Sequence, residues 1–332
     1  MGVVTKAKKV HADPRKVNFF FRSRMNEILL LARRRQFGAL GSYFITGLTS
    51  WSPFEYVVPR LAALREDPHL IRPVRDFEMV LDVTDPGLSK ELLLYGTRED
   101  KLASIFEREL AEFCSQADHP VIVDLGANIG YYTLIEARAC DGASIVAIEP
   151  VPKNVALLRQ NLSHNEVADR VSVHQQAIGG ENGITELQLA TRSNHHRLAD
   201  VAKLGTEYGD TIEVAVSRLD DFVRAQEIDP ESVTVVRMDI EGAERDALRG
   251  MSDILEADGP TLLYIEVHNN LLDEEVTQEM ADLLESHDFE LVAVEADTIT
   301  WSPFDYSLGI ESFDELPSID SSFGLIVKKR KS

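Results

Sequence analysis

In VIVDLGANIGYYT, residues 121–133, an apolar run stops at Asp124 and is followed by Gly126 and Gly130, which suits a ligand-binding loop at a strand end. A dinucleotide loop needs glycines at fixed places, one of them so that a pyrophosphate can approach the backbone. Here Gly126-Ala127-Asn128-Ile129-Gly130 puts Asn128 where that middle glycine would stand, and no Lys-Ser/Thr pair follows to make a phosphate loop. What remains is Asp124 and, at the end of the next apolar run, Glu149 in SIVAIEP. A carboxylate at that place can accept from both hydroxyls of a ribose. The pair suits a ribose-bearing ligand without phosphates, with positive rather than negative groups near Asp124.

A second acidic centre lies downstream. VVRMDIEGAE places Asp239 at the end of an apolar run, with Glu241 and Glu244 just after. Acids at a helix start cap free N–H groups and complement the dipole, and Glu244 is read that way. In YIEVHN, Glu266 and His268 are two residues apart, so they share one face if the strand persists. Adjacent strands would gather Asp239, Glu241, Glu266 and His268 at one rim. Such a set can hold a hard metal ion or position and deprotonate a hydroxyl. Crowded like charges raise some carboxyl pKa values, which suits a base, so proton transfer and substrate positioning are favoured here over a metal.

The elements that must carry these residues alternate. Apolar runs at 121–124, 144–149, 171–177, 233–239 and 261–267 read as strands, and 130–140, 153–165, 243–250 and 274–286 as helices. Residues 100–117 are helical, extra strands fall near 184–190 and 212–217, and 289–295 and 323–328 close the series. The pattern predicts an α/β fold: a doubly wound, mostly parallel, seven-stranded sheet with ligands at the carboxyl ends of its strands. Residues 76–96 turn and alternate like a small β-unit. The domain is taken as 76–332, with a polar substrate-side insertion at about 191–211 that contains His195 and His196. Those two histidines read as solvated loop residues, although an insertion of this kind can overhang an acceptor site. Residues 1–75 form a basic N-terminal helical extension; its MNEILLLARRR stretch reads as a helix packed on its own domain, with peripheral membrane contact as the alternative. WSPFEY at 51–56 recurs as WSPFDY at 301–306 without any repeat period between, which reads as coincidence.

S-adenosylmethionine, which has a ribose, a sulfonium and no phosphate, meets the description of the first site. The order Asp124, Gly126, Gly130, Glu149 resembles the class I S-adenosylmethionine-dependent methyltransferases. The longer segments VIVDLGANIGYYTLIEA, IEPVPKNVALLRQNL, QQAIGG and VVRMDIEGAERDALRGM resemble the FkbM family of methyltransferases over about residues 76–295. The resemblance implies a class I methyltransferase-like domain using S-adenosylmethionine. It implies cofactor-binding roles for Asp124, Gly126, Ala127, Asn128, Gly130 and Glu149, with Gln176 and Ala177 flanking the adenine and Val151 packed on it. It also implies O-methylation of a small-molecule or glycan hydroxyl, with Asp239 and His268 leading on the acceptor side and Glu241 and Glu266 beside them. A non-catalytic binding module and an NAD-linked oxidoreductase are the rival readings; the missing middle glycine weighs against the second.

Composition sets the remaining bounds. The net charge of −22 over 332 residues repels nucleic acid, whose binding rests on a Lys/Arg footprint. Acids spread along the whole chain give it a surface like that of proteins from salt-loving microbes. No apolar run is long enough to span a membrane, and Cys114 and Cys140 form no CxxC pair. No disulfide is expected, and a reducing, cytoplasmic location, peripheral to the membrane if the basic helix binds it, is the default.

Overall fold

The computed structural model describes residues 68–190, 193, 196–198, 208–269, 271–296 and 308–329. The basic N-terminal helix, both WSPF segments and His195 lie outside the described residues.

A hairpin of β1 (His69–Val74) and β2 (Phe77–Asp82) comes first, then helices α1 (Leu88–Tyr95) and α2 (Asp100–Cys114). β3 (Val121–Leu125), α3 (Tyr131–Ala139), β4 (Ser144–Ile148), α4 (Pro152–His164) and β5 (Val171–His174) follow in strict alternation. The chain then leaves the main sheet for β6 (Ala177–Ile178), β7 (Gly183–Ala190), β8 (Arg197–Leu198) and β9 (Tyr208–Ser217). It returns through α5 (Leu219–Ala225), β10 (Val233–Met238), α6 (Glu244–Arg249), α7 (Ser252–Glu256), β11 (Thr261–Val267), α8 (Glu274–Ser286), β12 (Glu290–Ala296) and β13 (Phe323–Lys329).

The main sheet has seven strands in the order β12-β13-β11-β10-β3-β4-β5. The β11–β10–β3–β4–β5 pairings are parallel, and β13 is antiparallel to both of its neighbours. Period-two alternation along the strands builds two cores. Ile122, Ile145, Val235, Leu262 and Ile326 face one side, where the cluster includes residues of α1 to α4. Val123, Val146, Val236, Leu263 and Leu325 face the other, with residues of α5 to α8. Each such fully buried side chain contributes about 1.5–3 kcal/mol, which is why near-continuous runs of Val, Ile and Leu form strands covered on both faces.

Several expectations need correction. Residues 76–96 are not a self-contained β-unit: β2 pairs with β1, and 88–95 is helical. A division at residue 75 would run through the turn of that hairpin. The expected strand 171–177 is two, because Ala177–Ile178 pairs with β9 in a separate four-stranded sheet of order β6-β9-β7-β8. Cys114 and Cys140 are joined in a disulfide, Cα to Cα 5.6 Å. The ends of α2 and α3 pack side by side, a proximity that the 26-residue separation conceals. The argument from unpaired cysteines to a reducing location therefore lapses. No described helix is long and apolar enough to cross a membrane.

Candidate active site

The loops after β3, β4 and β10 meet at the carboxyl edge of the sheet. Gly126 and Ala127 donate their N–H groups to Ile148 O at 2.9 and 3.1 Å, and Asp239 N donates to Leu125 O at 3.0 Å. Gly126 has φ +76°, and a Cβ there would lie 2.0 Å from the carbonyl oxygen of Asp239. Only a residue without a side chain permits that approach. The two sequence motifs, 113 residues apart at Asp124 and Arg237, are thus in backbone contact in the fold.

Glu149 is buried at the foot of the groove so formed. Its Oε2 accepts from Asn128 N at 2.9 Å; its Oε1 accepts from Val151 N at 3.0 Å and Asn154 Nδ2 at 3.2 Å. Burial pushes its carboxyl up to about 7, although these three donors pull the other way. The groove, with about 620 Å³ of empty space open to solvent, is lined by Gly126, Asn128, Glu149, Gln176, Ala177, Asp239 and Glu241 among others. The buried Nε2 of Gln176 and Oδ1 of Asn128 have no hydrogen-bond partner. A carboxylate, an amide donor and an amide acceptor at an apolar cleft fit a nucleoside that offers hydroxyls and base edges.

Other expected contacts fall elsewhere. Asp124 is fully buried and does not line the groove. Its Oδ2 accepts from Thr133 Oγ1 at 2.6 Å and its Oδ1 from Arg237 Nη1 at 3.2 Å, so it braces the loop from behind. Val151 packs with Ala177, Leu187 and Val214 beneath the second sheet. Gly130 is the N-cap of α3 at φ +93°, against Leu158, and Ala127 belongs to the first core.

The second centre forms the adjoining wall. His268 Nε2 lies 3.6 Å from Glu241 Oε2, 3.7 Å from Glu266 Oε1 and 3.9 Å from Asp239 Oδ1. Parallel pairing of β10 with β11 brings these residues together, as the sequence spacing implied. Glu244 does more than cap its loop: Oε1 accepts from Gly242 N at 3.0 Å and meets His268 Nδ1 at 2.7 Å. Burial works against a charged imidazole, but the carboxylates of Glu244, Glu241 and Glu266 outweigh it and hold His268 well above the usual histidine range. The position of Nε2 therefore favours positive charge. Burial also opposes the charge of Asp239, yet Arg237, Arg98 and His268 bring its pKa down to about 2. Glu266 is pushed well up by burial and by the Asp239 and Glu99 charges.

Sequence reasoning missed four participants. Arg237 Nη2 donates to Asp239 Oδ2 at 2.8 Å and Nη1 to Gly126 O at 3.1 Å, with its guanidinium 4.3 Å from the Tyr132 ring centroid. Its place two residues before Asp239 on one strand was a readable signal. Arg98 Nη2 donates to Glu266 Oε1 at 3.4 Å, and nothing in its surroundings in the sequence points there. Ser193, from the insertion, accepts at its carbonyl from Asn128 Nδ2 and Asn154 Nδ2 and donates Oγ–H to Asp85 Oδ2 at 2.7 Å. His196 is not a solvated loop residue: it lines the groove, and its Nδ1 accepts from Ala190 N.

A seven-stranded sheet with the last strand antiparallel, a glycine loop after the first parallel strand and an acid after the second make the α/β architecture of a class I methyltransferase-like domain. Residues 124–291 match the model of the methyltransferase FkbM domain, and the chain belongs to that family. It is similar to Methyltransferase 1 of Beauveria bassiana, 32% identical over 41% of this chain and 60% of that protein. It is similar also to the 31-O-demethyl-FK506 methyltransferase FkbM of Streptomyces tacrolimicus, 29% identical over 52% of this chain and 74% of the relative. The 2-O-methyltransferase NoeI of Sinorhizobium fredii is 27% identical over 60% of this chain and 83% of its own length. The chain thus spans less than two thirds of the Beauveria relative.

Proposed function

We propose that the protein transfers the methyl group of S-adenosylmethionine to a hydroxyl oxygen of a sugar, glycan or other small metabolite. The observation that carries this reading is that Asp239 and Glu241 line the same groove as Glu149, so nucleoside-binding and acid-bearing walls share one cleft. The names of two relatives, a 31-O and a 2-O methyltransferase, support an oxygen acceptor. S-adenosylmethionine, when bound, supplies a methyl on a positively charged sulfur that leaves as a neutral thioether.

The chain's residues do the rest. Glu149 receives the ribose hydroxyls, and Gln176 and Asn128 offer an amide donor and acceptor to the nucleoside. Asp239, ionised and fixed by Arg237, orients the acceptor O–H. Glu241, at the groove wall, takes the proton as the acceptor oxygen bonds to the methyl carbon and the sulfur keeps the electron pair of the broken C–S bond.

Calorimetric titration with S-adenosylmethionine, joined to an assay of S-adenosylhomocysteine release over a panel of sugars, glycans and hydroxylated metabolites, tests the reading. Turnover with an O-methyl signal in the product is expected. Binding without turnover on any panel member would favour a non-catalytic module, and no binding would sink the proposal.

A further inference from the structure

Ligating atoms of Asp239, Glu266 and His268 all lie within 4.8 Å of one another. Arg237 takes Asp239 Oδ2 at 2.8 Å, while Oδ1 stands 3.9 Å from His268 Nε2. Arg98 takes Glu266 Oε1 at 3.4 Å, and the other oxygen, Oε2, has no hydrogen-bond partner although the residue is only 4% exposed. A buried carboxylate oxygen left without a donor is costly, and each such atom in a native fold calls for an occupant.

The histidine is also presented as a ligand. Its Nδ1 is tied to Glu244 Oε1 at 2.7 Å, which fixes the ring and turns Nε2 toward the carboxylates. A carboxylate holding the far nitrogen is the usual support of a metal-binding imidazole. Oxygen or nitrogen atoms about 2.1–2.4 Å from one ion stand about 3.0–3.4 Å apart at right angles and about 4.2–4.8 Å apart in line. The separations from Nε2, 3.7 Å to Glu266 Oε1 (the oxygen that Arg98 also meets) and 3.9 Å to Asp239 Oδ1, fall between those limits.

We infer that Asp239, Glu266 and His268 bind a divalent cation at the acceptor wall of the groove. Two carboxylates with one imidazole suit an ion of the manganese-to-zinc series better than calcium, which prefers oxygen alone. The role of the ion rests on the methyltransferase reading. It would hold the acceptor oxygen beside Glu241 and make its proton easier to remove. The sequence had favoured proton transfer over a metal here; the converging atoms and the unpartnered oxygen reverse that preference.

The test is Mn²⁺ titration of the chelator-treated protein, with free ion read by electron paramagnetic resonance. One site per chain is expected. His268→Ala and Glu266→Gln should each weaken it at least tenfold, and Glu279→Gln on α8, outside the site, should leave it unchanged. Circular dichroism and urea midpoints establish that each variant is folded, and Asp239→Asn serves if either of the first two is not. S-adenosylmethionine affinity is measured on the same preparations. Folded wild type that binds S-adenosylmethionine but no Mn²⁺ at millimolar concentration overturns the ion site and leaves the methyltransferase reading standing. Mn²⁺ binding that survives every substitution also overturns it. An intact Mn²⁺ site without S-adenosylmethionine binding sinks the functional reading alone.

Discussion

Glu149 makes the sharpest claims at the scale of single residues. A carboxylate that receives two hydroxyls loses about 1.5–3 kcal/mol of binding when removed, so Glu149→Ala is expected to weaken S-adenosylmethionine binding roughly ten- to a hundredfold by calorimetry. Equal affinity would contradict the ribose assignment. Its pKa of about 7 adds a pH dependence. Hydroxyl donors favour the ionised form, so affinity should climb as pH rises toward 7 and level off above it. Folding stability responds with the opposite sign. A folded value above the ordinary 4.5 means that the favourable contribution is complete below 4.5 and is lost as pH rises through about 7. Asp239→Asn should instead slow transfer about 10²- to 10³-fold, with cofactor affinity nearly unchanged; a large loss of affinity with normal turnover would reverse its assignment. The acids were legible because their spacing put them at strand ends. The burial of Asp124 against Arg237 was not, because it depends on strands far apart in sequence.

Among the elements, strand–helix alternation was readable from 121 to 174 and from 233 to 286, because buried parallel strands leave continuous apolar runs. The passage of the chain from β5 to β6 was hidden, since one run of residues serves two sheets without a break in pattern. The β1–β2 hairpin was hidden too, for its cover comes from elsewhere: Asn161 and Asn165 of α4 and its C-cap accept from Val80 N and Glu78 N. The join between the β3 and β10 loops can be tested by itself. Gly126→Ala would carry a side chain at φ +76° into the Asp239 carbonyl. It should cost about 1–3 kcal/mol from backbone strain alone, with more from the clash. A lowered urea midpoint and loss of S-adenosylmethionine binding are expected; a wild-type midpoint would show that the loops can part freely.

The whole molecule carries charge and a covalent tie that act together. With a net charge of −22, self-repulsion should ease as salt rises, so the thermal midpoint is expected to increase between low and molar NaCl. A flat or falling midpoint would dismiss the resemblance to salt-adapted surfaces. The Cys114–Cys140 link closes a loop of sequence separation 26 and is expected to add about 3 kcal/mol by restricting the unfolded chain. Denaturation with and without reductant measures that difference. Neither property depended on motif spacing: charge was legible by simple counting, whereas the link needed the packing of α2 on α3. The contact of Gly126 with the Asp239 carbonyl also reaches beyond its own turn. If cofactor and acceptor walls that touch through backbone shift together, the two ligands would influence each other's binding. By thermodynamic reciprocity, an acceptor that binds more tightly after the cofactor must raise cofactor affinity by the same factor, so one coupling constant can be measured from either side.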